Sequence, residues 1–157
     1  MQRARIVVAA IAAAAALSSC GENSTTTSTA SSPEQSENAR RIRAYILAVG
    51  KANEPFAHPP TERITHAQAE RLLRTAIAEL SALTPPSPFA ASHGRVLSGF
   101  RGELSARVDI EHAERVHNSI AERNAEAKNA RSEQTVRTGL VETEAEVRKC
   151  EQDNFTC

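Results

Sequence analysis

Aromatic side chains are scarce in this sequence: they make up 3% of its residues, with one Tyr, four Phe and no Trp. Any core must therefore be assembled mainly from Leu, Ile, Val and Ala, and the small area each buries limits what burial contributes to stability. Runs of Val, Ile, Thr and aromatics are almost absent, which argues against a sheet. Neither sign of charge dominates, since Lys+Arg and Asp+Glu each number 19, so the basic excess of a nucleic-acid binder is missing. The longest apolar run, Ile6 to Leu17, has 12 residues, well short of the roughly 20 that a helical membrane span needs. Also missing are G-x-S-x-G, a P-loop, G-x-G-x-x-G and H-E-x-x-H. The chain is read accordingly as a non-enzyme that requires no cofactor. Its 157 residues suffice for one domain.

What the sequence does contain begins at the N-terminus. Arg3 and Arg5 precede the short apolar run, an arrangement that fits the n- and h-regions of a secretory signal. Leu17-Ser18-Ser19-Cys20 follows, and it resembles the lipobox of bacterial lipoproteins: an aliphatic residue, two small ones, then a cysteine. The resemblance implies that Cys20 takes up a diacylglyceryl group through its thiolate, becomes the new N-terminus and carries palmitate-type acyl chains. Cysteine parity agrees with it, because three cysteines leave one unpaired in an oxidising compartment. With Cys20 lipidated, Cys150 and Cys157 remain as a disulfide pair closing the tail. Cleavage before Cys20 removes two arginines and no acid, leaving a mildly acidic body that gains little from anionic headgroups. The lipid must then do the holding, at about 0.8 kcal/mol per buried methylene.

Gly21 to Ser32 reads GENSTTTSTASS, with no aliphatic residue larger than Ala. Such a segment cannot offset its ordering entropy by burial and is expected to be a disordered tether, with a reach of about 20 Å. The domain plan is therefore a signal peptide at 1–19, the lipidated cysteine and tether at 20–33, and a helical domain at 34–157.

In the helical domain, Ser32-Pro33-Glu34-Gln35 has the form of a capped helix start, and Ala39, Ile42, Ile46 and Val49 recur at helical spacing until Pro55. Thr65-His66-Ala67-Gln68 repeats the capping-box pattern, and Ala69, Leu72, Leu73, Ala76, Leu80 and Leu83 form a second stripe that Thr84-Pro85-Pro86 ends. A third helix starts at Ser87-Pro88 with the stripe Phe89, Val96, Leu97, Phe100, Leu104 and Val108. Ile110, Ala113, Val116 and Ile120 then cluster on nearly the opposite side. Because no Gly or Pro marks a break near Asp109, a long continuous helix is favoured over a kink. Ala121 to Gln134 holds no apolar residue larger than Ala and is expected to be solvated or frayed, with a last stripe at Val136, Leu140, Val147 and Cys150. The whole predicts an all-α antiparallel bundle of about four helices, one of them long.

The stretch LSALTPPSPFAASHGRVLSGF also resembles small, mostly actinobacterial lipoproteins in which a helix ends at Leu-Thr-Pro-Pro and the next begins with an aromatic and a His. The likeness covers Ala78 to Phe100 and the lipobox. It implies placement and fold but no reaction.

Few residues suggest chemistry. Glu114-Arg115-Val116-His117 has the Glu-x-x-His spacing of di-iron bundles, but such sites need two copies and only one is present. His112 and His117 stand about 140° apart on a helix, too far round to share an ion, so no metal site is assigned. His93 is read as a half-buried packing residue, and Gly94, Gly99 and Gly102 as points of close helix approach. Cys150 and Cys157 lack C-x2-C geometry and read as structural.

The sequence thus points to a lipoprotein on the extracytoplasmic face of the cell membrane, held by its lipid, with no nucleic-acid partner. It is expected to act by interaction with an envelope protein or other envelope component. A second reading makes the bundle a module for a small apolar ligand held around Tyr45, Phe89 and Phe100. A third makes it a metal-binding protein.

Overall fold

The computed structural model describes residues 33–58 and 64–157. Cys20, the signal-like segment, the Ser/Thr-rich stretch and the Ser32 cap lie outside the described residues. Four α-helices and no strand are found among those residues: α1 Pro33–Ala57, α2 His66–Ser81, α3 Ala90–Arg115 and α4 Ser119–Gln152, with a 3-10 turn at Ser87–Phe89. The fold is an all-α helical bundle.

Local sequence accounts for most of the ends. Thr65 caps α2 by accepting from the Gln68 N–H, and the Gln68 side chain accepts from the Thr65 N–H in return, the reciprocal box its spacing predicts. Pro55 does not stop α1, which continues to Ala57 with the proline inside it. The third helix is also corrected. It runs unbroken past Asp109 but ends at Arg115, well before Ile120, because His117 adopts a left-handed φ of 54°. Asn118 then caps α4, its side chain accepting from the Ala121 N–H at 3.0 Å. Asn118 is extended and supplies the oxygen that the first orphan amides of a helix require, while His117 takes the left-handed turn, so the break carries neither Gly nor Pro.

Helix directions follow from the contacts. Tyr45 meets Phe89 and His93, while Phe56 meets Phe100, so α1 and α3 run the same way. Arg101 reaches Ser81 whereas His66 faces Glu114, so α2 runs against α3. Gly99 lies on Val136 and Gly139 on Val96, so α4 also opposes α3. The result alternates direction from helix to helix. Since α1 ends beside Phe100, the rest of α3 carries the α3–α4 hairpin roughly 20 Å beyond it, at 1.5 Å per residue.

The α3–α4 contact has a local pseudo-symmetry. Ser92, Val96, Ser98, Gly99 and Phe100 share their spacing with Ser132, Val136, Thr138, Gly139 and Leu140. A Cβ on Gly99 would lie 2.5 Å from Val136 Cγ2 and 2.7 Å from its backbone N, and one on Gly139 would lie 2.7 Å and 2.9 Å from the same atoms of Val96. Each glycine therefore receives the other helix's valine, and the backbones approach more closely than any larger residue would permit. Gly102 does the same for Ser132, but Gly94 meets nothing within 4 Å and is not a packing glycine. The segment 121–134, expected to be solvated or frayed, is largely solvent-facing but not frayed: it is helical, with Ala125 buried. Val116 and Ile120, assigned above to an apolar stripe, are instead exposed.

Candidate functional site

The aromatic residues proposed to line a ligand pocket sit in the core. Phe89 and Phe100 are almost fully buried and Tyr45 nearly so. Tyr45 and Phe89 rings lie 5.2 Å apart, and Phe56 and Phe100 4.9 Å apart, in tilted pairs. Tyr45 thus packs on Phe89, and Phe100 on Phe56, within the core. A surface concavity of about 330 Å³, lined by Ile64, Gln68, Arg71, Leu72 and Thr75, lies elsewhere and is wide open to solvent.

A polar link crosses this core. The Tyr45 hydroxyl lies 3.2 Å from His93 Nδ1, and the His93 ring also bonds the backbone of Leu80. Burial lowers the imidazole below its ordinary range, and the bond to Leu80 opposes that pull without reversing it. Burial likewise pushes the Tyr45 phenol up to about 12. A neutral ring that donates to Leu80 and accepts from Tyr45 satisfies both partners, so His93 joins α1, α2 and α3 as a structural group. It is buried, with 8% exposure, rather than half-buried as its place at the edge of the stripe suggests.

A second polar cluster lies in the α3–α4 contact and has no counterpart in the sequence reading. Glu103 occupies the place in α3 that Thr143 occupies in α4. Thr143 lies 3.1 Å from Ser92 Oγ and donates to the Gly139 carbonyl, whereas Glu103 places a carboxyl in the same buried surroundings. Desolvation, assisted by the nearby charge of Glu133 and opposed by Arg107, pushes Glu103 up to about 7. Asn129 donates to Glu133 at 2.6 Å, but its own Oδ1 and the Nε of Arg107 are buried without partners. Self-comparison of the two S-x3-V-x-[ST]-G-[FL] segments is the signal that leads to this position.

Cys150 and Cys157 are bonded, with 5.3 Å between their Cα atoms. The closed tail docks on the start of α1: Asn38 donates to the carbonyls of Phe155 and Cys157 at 2.7 and 3.3 Å, and Arg43 stands 5.2 Å over the Phe155 ring. Glu114 and His117 do not share a helix face, because His117 lies in the turn after α3, and Glu114 faces His66 at 3.8 Å instead. Among the described residues no group of three His, Cys, Asp or Glu side chains converges. None of the described helices is long and apolar enough to cross a membrane.

No family model, no curated protein and no solved structure matches the chain.

Proposed function

We propose that this chain is a lipoprotein tethered to the extracytoplasmic face of the cell membrane, whose helical bundle serves as an interaction or structural module of the envelope. The observation that carries the reading is Leu17-Ser18-Ser19-Cys20, placed directly after an Arg-bearing n-region and a 12-residue apolar run. The pairing of Cys150 with Cys157 supports it by leaving Cys20 as the odd cysteine. Burial of Tyr45 against Phe89 and of Phe100 against Phe56 favours interaction through the outer surface over a ligand held inside. Exposed Val116 and Ile120, at the α3–α4 turn, stand at the end of the bundle remote from Pro33 and offer apolar contact away from the tether.

Replacing Cys20 by Ala tests the anchor: the protein moves to the soluble fraction, and intact-mass analysis of the native molecule shows acyl chains and no Met1. Continued tight membrane association of the variant overturns the reading. In-cell crosslinking with mass spectrometry tests the role, for which a reproducible envelope partner is the expected result.

A further inference from the structure

The net charge of the domain conceals a segregation that the helices make visible. Between Asn38 and Asn53, α1 contains Arg40, Arg41, Arg43 and Lys51 and no acid, while its carboxylates Glu34, Glu37 and Glu54 fall at the two ends. Arg40, Arg43, Leu47 and Lys51 fall within an arc of about 80° at 100° per residue, flanked by Arg41; of the acids, Glu54 shares the arc at its C-terminal end and Glu37 borders it near its N-terminal end, so the stretch between them is purely cationic. All are exposed, and Leu47, at 74%, is the most exposed of the large apolar side chains described. Several cations on the other helices are ion-paired, as in Arg74–Glu70, Arg95–Glu142, Arg115–Glu111 and Lys128–Asp109. Those of the α1 face have no carboxylate partner among the described residues, and Arg43 stands only over the Phe155 ring.

We infer that this face of α1 lies against a bilayer surface bearing anionic headgroups, so that the domain rests on its first helix. The inference builds on the lipid anchor proposed above. Only Gly21 to Ser32 separates Cys20 from the start of α1, a reach of about 20 Å, which keeps the face beside the membrane. Cations near an anionic surface attract it by about fivefold each, and an exposed leucine among them enters the interfacial region. The docked disulfide tail holds the first turns of α1 to the rest of the bundle, so the domain is oriented with that helix.

The test uses the native acylated protein in vesicles of phosphatidylcholine, with or without phosphatidylglycerol, carrying a lipid-borne quencher. A fluorophore is placed at Ala44→Cys on this face or at Ala127→Cys on exposed α4. Ala44 quenches strongly in the anionic vesicles only, Ala127 does not, and Arg40→Gln/Arg43→Gln/Lys51→Gln returns the Ala44 signal to its level in neutral vesicles. Equal quenching at the two sites, no dependence on phosphatidylglycerol, or insensitivity to the triple variant overturns the proposal. So does a triple variant that loses an acidic protein partner while Ala44 remains unquenched. Failure of the anchor reading is distinct, appearing as an intact mass without acyl chains. The unacylated chain then reports on the face by flotation: retention on anionic vesicles supports it and absence overturns it.

Discussion

The hydroxyl of Tyr45 and Nδ1 of His93, 48 positions apart in sequence, form a buried hydrogen bond of 3.2 Å that ties the first helix to the third. With the His93 bond to Leu80, three helices meet at one imidazole. Such a link contributes through the cost of breaking it, because each group is desolvated whether or not its partner is present.

Tyr45→Phe removes the hydroxyl and leaves Nδ1 buried without a partner. The expected loss is about 1–3 kcal/mol, read from the denaturant midpoint with an unchanged slope.

His93 and Glu103 impose opposite pH dependences. The His93 pKa is lowered in the fold, so the unfolded chain binds its proton more tightly, and the stability from the neutral ring is lost as pH falls below about 6.5. Glu103 is raised from 4.5 to about 7, so the fold binds its proton more tightly. That contribution is full below about 4.5 and lost as pH rises to about 7. Glu103→Gln therefore stabilises the protein at pH above about 7, by at most on the order of 3 kcal/mol, and changes little near pH 4. Melting temperatures measured across this range check both signs, since the variant leaves the His93 dependence alone.

The glycines divide sharply. Gly99→Ala and Gly139→Ala each force a methyl onto a valine and its backbone in the facing helix, where neither helix can yield alone. Each is expected to cost about 1–3 kcal/mol or more. Gly94→Ala and Gly50→Ala meet open space on helices and stabilise by roughly 0.5–1 kcal/mol. Thermal unfolding of the four single variants orders them.

Removing the tail disulfide with Cys150→Ser/Cys157→Ser releases a loop of sequence separation 7, and chain entropy puts the cost at about 2 kcal/mol. The local effect is more diagnostic: Asn38 and Arg43 lose their partners in the tail, so amide exchange rises over 33–44 and not over the middle of α3.

Leu72, Leu73, Ala76 and Leu80, with the Thr65 box before them and the Pro85-Pro86 stop behind, made α2 legible, because capping and periodicity act over a few residues. The turn at His117 was not legible, since its signal is one capping Asn and a left-handed backbone angle at a histidine. Nor was the helix through 121–134: Gly, Ala and Ser carry no apolar period, and their contribution appears only when a second helix comes close enough to use it.

For this protein, composition and periodicity alone determined an all-α domain and the start of α2, whereas the pairing of Cys150 with Cys157 was expected only through the resemblance that sets Cys20 apart. Tertiary structure decided which polar groups are buried. His93 is satisfied by residues from two other helices, whereas Glu103 is enclosed where its pseudo-symmetric counterpart, Thr143, is comfortably bonded. Burial of a side chain depends on neighbours distant along the chain, and no local pattern in its own helix specifies them.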